Sequence, residues 1–422
     1  MSEWTKYKIS TLIESKALVI GDGYRAKNSE LSTDEGLPFA RAGDINNGFQ
    51  LENVECLAPE NLHKAGEKIS QTGDALFTSK GTVGRVAFVT DETPEFVYSP
   101  QLTWWRVIDT QQIYPEFLYC WMRGQEFISQ INSFSGETDM AAYVSLKDQR
   151  QMMYITLPKI EEQQKITAVI SCLDRKISNL SQQNETLERI AQTLFKHWFV
   201  DFEFPNEDGK PHKSSGGEMV RSELGEIPAG WRFGKLGDVV NVNAKSISNG
   251  YRHTNIEYVD ISSVGIGKLE STSSYCLKDA PSRARRLVTH GDVIWSGVRP
   301  NRKSYLFISH PPETLVVSTG FITLTPILIL SSYLYSWVTT DSFVEYLTFN
   351  ASGSAYPAVK AEHFEIADIL LPDSPLLDKF HAVVDPMREK IHQNALQIET
   401  LTKTRDVLLP KLMSGKLRIT AS

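Results

Sequence analysis

Cysteine is scarce in this chain, and its few residues are scattered. Four are present among 422 residues, none within a few positions of another: Cys56, Cys120, Cys172 and Cys276. Zinc sites and disulfide frameworks need cysteines at short, regular spacings, and the nine histidines show no metal-ligand spacing either. The sequence therefore predicts free thiols in a reducing compartment and no bound metal.

Long apolar segments are also lacking. The most apolar stretch, 321–338, contains Pro326 and several serines and threonines, and falls short of the about 20 apolar residues that a membrane-spanning helix needs. The opening residues, MSEWTKYKIS, do not have the charged and then apolar order of a secretory signal. We expect a cytoplasmic protein without a membrane segment, and interpret 321–338 as a buried strand followed by a helix start.

Positive charge is not in excess. Lysine and arginine number 44 against 51 aspartates and glutamates, so the net charge is −7. This excludes a wholly basic nucleic-acid-binding protein, and any nucleic-acid surface must be local or completed by a partner. The 41% of hydrophobic residues is typical of a folded protein, and the length predicts two or three domains.

Motifs of catalysis are missing too. The chain has no GxxxxGK[ST] phosphate-binding loop, because each of its Gly-Lys pairs is followed by proline or leucine. It has no Asn-Pro-Pro-aromatic motif of adenine methylation, no Asp-x-Phe-x-Gly-x-Gly cofactor loop and no evident nuclease motif. We therefore expect a protein with neither catalytic residues nor a cofactor of its own.

What the chain does have is an internal repeat. Three pairs of segments carry it at offsets between 214 and 219: 39–51 with 258–270, 73–77 with 291–295, and 155–158 with 369–372. After the last pair the offset stays at 214 without a gap. The sequence is thus one unit used twice, and each copy has a β-rich part followed by a long helix.

Both β-rich parts predict the α+β class. Short runs of Val, Ile, Phe, Tyr and Trp are separated there by Gly, Asp, Asn and Pro, a pattern typical of strands joined by turns. Helical patterns intervene at 115–132 and 331–347. We predict that each β-rich part is an α+β domain with one curved, mostly antiparallel sheet.

A seven-residue apolar repeat follows each β-rich part. Five heptads at 161–198, and five more at 380–412, predict two long helices that pair as a coiled coil. Because each follows the same type of domain, a pseudo-two-fold axis would pair them antiparallel. Each seam contains one asparagine, Asn184 or Asn394, and pairing these two predicts a register in which facing residue numbers sum to 578. Pro386 is expected to interrupt the second helix near its start.

The segment between the two copies resembles a known family. Residues 197–231 read HWFVDFEFPNEDGKPHKSSGGEMVRSELGEIPAGW, with EEQQKI at 161–166 and KLMSGKL at 411–417. With the duplicated organisation, these motifs resemble the specificity (S) subunit of type I restriction–modification enzymes. The resemblance implies two target recognition domains, separated by an antiparallel two-helix coiled coil, with these boundaries: 1–160 and 229–373 for the recognition domains, 161–200 for the central long helix, 201–228 for a linker, and 374–415 for the C-terminal long helix.

The resemblance also implies a function, which is to recognise a specific DNA sequence. Each recognition domain would read one half of a split site on double-stranded DNA, and the helices would dock two methyltransferase (M) subunits. Those partners would hold S-adenosylmethionine and methylate adenine at N6, and motor nuclease (R) subunits would join for cleavage. The chain itself would then be a non-catalytic subunit.

Glycine-containing loops at matching positions are the best candidates for DNA contact. Glycines let the backbone approach a surface closely, and arginine and lysine bind phosphate or the guanine edge. The first copy contributes Lys80, Thr82 and Arg85. In the second copy the matching loop is 296–303, and the longer stretch 283–303 that contains it has six basic residues against one acid: Arg283, Arg285, Arg286, Arg299, Arg302 and Lys303. Solvated loops with structural glycines are the alternative, which the matching positions disfavour.

A second pair of loops follows at 136–148 and 353–362. Each contains a tyrosine and a lysine four residues apart: Tyr143 and Lys147, and Tyr356 and Lys360. These side chains could contact phosphate or sugar, or the tyrosines could pack against the next element, and the sequence leaves both open.

Two other classes of protein remain open. One is a non-catalytic scaffold with two β-rich ligand-binding modules on a coiled coil, for glycans or peptides, which the matched basic loops disfavour. The other is an enzyme of unrecognised type, which would need a cluster of acids and bases in a pocket. The acidic net charge adds a hypothesis about partners: docked methyltransferase subunits would supply much of the positive surface, and the isolated chain would bind DNA weakly.

Overall fold

The computed structural model describes residues 4–33, 35–46, 48–134, 143–223, 225–248, 250–354 and 356–419. The chain divides into two compact units, one of residues 1–178 and 398–422 and the other of residues 179–397. Each unit therefore combines one β-rich part with portions of both long helices. None of the helices in these described ranges is long and apolar enough to cross a membrane.

The first unit alternates short strands with short helices. Its strands are β1 (Thr5–Lys8), β2 (Leu18–Asp22), β3 (Leu31–Ser32), β4 (Leu37–Ala40), β5 (Cys56–Leu57), β6 (Ala75–Thr78), β7 (Val86–Phe88), β8 (Val97–Tyr98), β9 (Leu102–Val107) and β10 (Tyr154–Leu157). Its helices are α1 (Ile9–Glu14), α2 (Leu62–Ala65), α3 (Pro115–Met122), α4 (Gln125–Phe134), α5 (Leu146–Met152) and the start of the long α6 (Ile160–Phe195).

Two four-stranded sheets form the β-rich part of the first unit. One has the order β2-β9-β6-β7 and is antiparallel throughout. The other has the order β3-β5-β4-β8, in which β4 and β8 run parallel. In addition, β1 pairs antiparallel with β10, directly before α6.

The second unit repeats this plan. Its strands are β11 (Met219–Ser222), β12 (Gly225–Pro228), β13 (Arg232–Lys235), β14 (Val240–Val242), β15 (Asn255–Val259), β16 (Ser273–Cys276), β17 (Ala284–Leu287), β18 (Val293–Ser296), β19 (Tyr305–Phe307), β20 (Leu315–Ser318), β21 (Phe321–Pro326) and β22 (Asp368–Leu371). Its helices are α7 (Leu236–Val239), α8 (Ser331–Val338), α9 (Asp341–Asn350), α10 (Ala361–Glu365) and the long α11 (Ser374–Met413), which continues into the first unit.

One sheet has the same strand order in both units, and the other shares a parallel pair that lies at the edge of the sheet in the first unit and in its centre in the second. The second unit has β14-β21-β18-β19, equivalent to β2-β9-β6-β7, and β16-β15-β20-β17, in which β15 and β20 run parallel as β4 and β8 do. The α+β class and the predominance of antiparallel pairs are confirmed. The prediction of a single curved sheet is wrong, because each β-rich part has two.

The strand sequences explain why two sheets form. All four residues of β6 are buried; Phe77 packs in a cluster with the helices, whereas Leu76 packs in a cluster with Tyr98 of the other sheet. In β18, Trp295 and Ile294 divide in the same way between two clusters. A strand that is apolar on both faces needs a layer on each side, so each unit stacks helices, one sheet and a second sheet.

The two long helices pair antiparallel. In the second unit, Asn394 Nδ2 donates to Asn184 Oδ1 at 2.9 Å, and the rings of Trp198 and Phe380 lie 6.0 Å apart. Both pairs have the sum of 578 that the seam asparagines predict. The helix α11 is continuous through Pro386, so the predicted interruption there is wrong. After α6 the chain forms a π-helical turn at Lys196–Val200.

Each end of the helix pair also contributes to a β-rich core. In the first unit Ile166 and Leu412 are 2% and 1% exposed and belong to the cluster that contains Trp105. Asp174 accepts hydrogen bonds from Arg123, directly after α3, at 2.6 Å and from Arg405 of α11 at 3.0 Å. The helices are therefore part of each domain's core as well as partners of each other.

Three histidine rings meet where the second β-rich part contacts α11. The rings of His290 and His310 stack with centroids 4.3 Å apart, and those of His310 and His392 lie 5.3 Å apart. The His310 Nε2 atom lies 3.0 Å from a carboxylate oxygen of Glu389. Burial lowers the pKa of His392, and hydrogen bonds from Gln393 and His310 lower the pKa of Glu389.

We expect the full chain to lose stability on mild acidification. His392 binds a proton more readily in the unfolded chain than in the folded chain. The free energy of unfolding therefore falls as the pH drops below the unfolded pKa of about 6.5. Glu389 acts in the same direction at lower pH, because its contribution to stability is lost as the pH falls through its lowered pKa. The unfolding temperature should decrease from about pH 7.5 to about pH 5.5. His392→Phe should flatten this dependence and His63→Phe, at an exposed position, should not; equal slopes in both variants would contradict the assignment.

Candidate nucleic-acid interface

In the first unit, the two candidate loops come together. The loop between β6 and β7 begins at Ser79, whose N–H donates to Gln101 O at 2.8 Å and whose carbonyl accepts from Val144 N at 2.9 Å. The next residue, Lys80, forms a β-bridge with Tyr143 of the second loop. Sequence spacing alone did not predict this joining, which needs three chain segments to meet.

The second unit holds its loops with the same hydrogen bonds. Gly297 N donates to Gly320 O at 2.8 Å, and Gly297 O accepts from Val359 N at 2.8 Å. A Cβ atom at position 297 would lie 3.2 Å from each of two backbone oxygens, those of Gly320 and Val359. A side chain at this position would be a tight fit because three backbones approach each other there, although the first unit has Ser79 at the equivalent position.

The first-unit candidates divide into free and anchored side chains. Lys80, Thr82 and Lys147 are exposed, and their side chains have no polar partner among the residues that the structure describes. Arg85 instead donates to the carbonyl oxygens of Ala42 and Ile45, at 3.4 and 3.2 Å, and so holds a neighbouring turn. Residues 136–142 of the second loop lie outside the described residues.

A cleft of about 310 Å³ opens beside the joined loops of the first unit. Tyr143, which is 51% exposed, and Lys80 line it. Asp22, Arg25 and Thr103 also line it, and the sequence analysis did not select them. The only sequence signal near them is the Gly-Asp-Gly at 21–23, which is too short to indicate a site.

In the second unit, Arg299 is the most constrained candidate. Its backbone is left-handed, with φ +51°, and its N–H donates to Pro357 O at 2.6 Å. Its guanidinium carbon lies 4.5 Å from the ring centre of Tyr356, which is 67% exposed. A cation over an aromatic face is held in place by its attraction to the ring. Arg299 and Tyr356, selected independently, thus form one feature.

The remaining basic residues of the second unit do not form a single patch. Arg302 is exposed and its side chain has no partner in the described part of the chain. Lys303 pairs with Asp341 at 2.7 Å, and this hydrogen bond lowers the pKa of Asp341. Lys360 lies 3.6 Å from Glu362 in an exposed ion pair. Two of the predicted cations are thus partly neutralised by their own neighbours.

The three arginines around β17 differ in exposure. Arg283 and Arg285 are exposed, and the Arg283 carbonyl accepts from Thr319 N at 2.8 Å, one residue from the turn that holds Gly297. Arg286 is half-buried, its Nη1 donates to Ser246 Oγ at 3.5 Å, and burial lowers its pKa. The backbone of Arg283 thus contacts the residue before Gly320, whereas Arg286 packs against the chain before β15.

No alternative chemistry is evident at these loops. No group of three or more histidine, cysteine, aspartate or glutamate side chains in the described ranges could hold a metal ion. The features that recur in both units are a loop fixed by backbone hydrogen bonds, an aromatic ring and exposed cations. This combination suits contact with a phosphate backbone and base edges.

Comparison with known proteins finds one family that this chain resembles. Residues 1–189 match the model of the type I restriction modification DNA specificity domain. The relatives below are specificity subunits of type I restriction enzymes, so the chain is similar to this family well beyond the matched domain.

The similar proteins cover most or all of the chain. The specificity subunit of the type I restriction enzyme MjaIX from Methanocaldococcus jannaschii is 28% identical over 83% of this chain and 79% of that protein. The HindI specificity subunit from Haemophilus influenzae is 24% identical over 99% of this chain and 100% of that protein. The crystal structure of the type I restriction–modification S subunit from M. genitalium has a TM-score of 0.58 at 14% identity, covering 100% of this chain and 97% of the other, and shows the shared fold.

Proposed function

We propose that this protein directs a type I restriction–modification complex to its DNA sequence. Each β-rich part reads one half of a bipartite site on double-stranded DNA. The long helices dock two methyltransferase subunits, which hold S-adenosylmethionine and methylate adenine at N6, and the motor nuclease joins through them. The chain acts in the cytoplasm as a non-catalytic subunit.

The joined loops carry this proposal. Equivalent backbone hydrogen bonds fix them at Ser79 in the first unit and at Gly297 in the second. Free cations project from both, Lys80 from the first and Arg302 from the second. A duplicated reader needs the same frame with different side chains, because two half-sites of different sequence must be approached in the same way.

The proposed division of labour follows the repeat. The recognition domains are residues 1–160 and 229–373, the linker is 201–228, and the helices at 161–200 and 374–415 carry the docking surfaces. Exposed apolar residues on the helices include Ile190 at 45% and Val383 at 43%. Scattered exposed apolar residues are ordinary on a protein surface, so the docking role is proposed from the resemblance to the family.

The direct test is to map methylated adenines in a host genome with and without this chain. The proposal expects a split motif, with two specified halves around an unspecified spacer, that is methylated only when the chain is present. If methylation is unchanged and the assembled complex does not retard DNA in a gel, a scaffold with two ligand-binding modules becomes the better description.

Lys80→Gln and Arg302→Gln should weaken DNA binding of the assembled complex for all sequences alike. Each removes one free cation that would neutralise a phosphate, so each should lower the slope of log affinity against log salt by about 1. Lys403→Gln on α11 is the matched control, because that lysine already pairs with Glu399. An unchanged slope in both loop variants would show that Lys80 and Arg302 do not contact DNA phosphates.

A further inference from the structure

The two units contain equivalent tryptophans in different surroundings. Trp4 directly precedes β1 and Trp231 directly precedes β13, and each of these strands pairs with the strand before a long helix. Trp231 is buried at 7% exposure, whereas Trp4 is only half-buried. The segment that follows the long helix in each unit explains this difference.

In the second unit the chain covers its own tryptophan. After the helix, Glu203 N donates to His197 O at 2.8 Å, which turns the chain back. Phe204 then stacks on Trp231 with centroids 5.1 Å apart and an angle of 21°, and Phe202 packs edge-on at 5.8 Å. Two phenylalanines, two residues apart, thus cover the ring of Trp231.

In the first unit the same turn lacks these phenylalanines. Leu417 N donates to Lys411 O at 3.0 Å, which is the equivalent hydrogen bond at the repeat offset of 214. At that offset, however, Lys416 and Arg418 stand where the second unit has Phe202 and Phe204. Both are exposed, and a charged head group cannot fill an aromatic site without losing its hydration.

A cleft of about 420 Å³ is present beside Trp4. Its apolar lining includes Trp121, Pro410 and Met413, and its polar lining includes Glu126. Its size is within the range of about 300–1,000 Å³ that ligand sites occupy. The Trp4 indole N–H is buried without an acceptor in the described part of the chain.

We propose that this cleft docks a peptide segment of a partner protein that inserts two aromatic side chains two residues apart, as Phe202 and Phe204 do in the other unit. An acidic residue between the two aromatics, like Glu203, suits the nearby cation Lys416, whereas Arg418 already lies 4.0 Å from Glu162. The partner is recognised through this short segment and not through DNA, so the inference stands apart from the proposed function.

The test uses the full chain and a labelled peptide of residues 200–208, VDFEFPNED. Fluorescence anisotropy should show saturable binding, weakened by about tenfold or more when both phenylalanines of the peptide are alanine. The peptide should not compete at Trp231, because the chain's own segment is present there at high effective concentration.

Two variants of the chain locate the site. Met413→Glu places a charge in the cleft, and Ser414→Tyr, at an exposed position, fills it while leaving the fold intact. Both should abolish binding, whereas Val407→Glu, exposed on the same helix, should not. Equal binding of the alanine peptide, absence of saturable binding, or binding that survives both cleft variants would overturn the proposal. Self-association of the chain that Met413→Glu abolishes would overturn it in favour of a second copy. Adenine mapping reports on the proposed function separately.

Discussion

Arg106→Ala should lower the free energy of unfolding of the first unit by about 3–5 kcal/mol. Asp74 at the start of β6 is fully buried, and Arg106 Nε and Nη2 each donate to its carboxylate at 2.7 Å. Tyr98 Oη donates to the same carboxylate at 2.7 Å. Removing the arginine leaves a buried negative charge without its cation, which is among the most costly single changes in a protein core.

The second unit has an equivalent buried aspartate without an arginine partner, which provides a matched comparison. Asp292 occupies the position of Asp74, but Thr325 stands where the arginine would be. Burial raises the pKa of Asp292, and Thr289 N donates to its carboxylate at 2.7 Å. A raised folded pKa means that folding favours the neutral form of Asp292. The contribution of this group to the free energy of unfolding is therefore lost as the pH rises above its unfolded pKa of about 3.9.

We therefore expect opposite results from the same substitution at the two positions. Asp292→Asn should be neutral or stabilising at neutral pH, because the amide oxygen still accepts the Thr289 hydrogen bond and carries no charge. Asp74→Asn should be strongly destabilising, since it removes the charge that compensates Arg106. Urea unfolding of the full chain measures both, and equal losses would contradict the assignment of these environments.

Arg299→Gly should reduce DNA affinity of the assembled complex by about 5- to 150-fold. A bidentate arginine contact to a guanine contributes about 1–3 kcal/mol of discrimination. Glycine retains the left-handed backbone at this position, so the variant removes the side chain without straining the loop. Sequence preference should relax at one base pair of one half-site, while the other half-site stays unchanged.

The control for this prediction lies in the same loop. Lys303 is left-handed as well, and its ammonium group already pairs with Asp341. Lys303→Gly should therefore have a much smaller effect on affinity and none on preference. Methylated-adenine mapping with each variant distinguishes them, and loss of both half-sites in Arg299→Gly would point to failed assembly instead of lost readout.

Much of the fold could be predicted because the repeat and the periodicity are local signals. The matching repeat segments at 73–77 and 291–295 contain most of β6 and β18, and the heptads became α6 and α11. The helical pattern at 115–132 became two helices, α3 and α4, separated at Arg123 and Gly124. The second sheet in each unit was missed, because a short strand with two buried faces gives no alternating pattern.

The candidate site was predicted in outline and not in its details. Matching positions in the repeat located both loop pairs, but their joining depends on backbone hydrogen bonds at Ser79 and Gly297 between distant segments. Nor could composition show that Arg85 anchors a turn or that Arg286 is half-buried. Such roles depend on which neighbours the fold brings within reach.

The sequence by itself determined the duplication, the strand-then-helix order of each copy and the antiparallel helix register, because residue spacing alone encodes them. Only the tertiary structure decided which charges are paired and which tryptophan is covered. Asp74 and Asp292 occupy the same position of the repeat, yet one meets an arginine and the other does not. Trp4 and Trp231 likewise differ in the segment folded over them. A side chain's energy depends on its burial and its partners, and these are fixed when the layers pack.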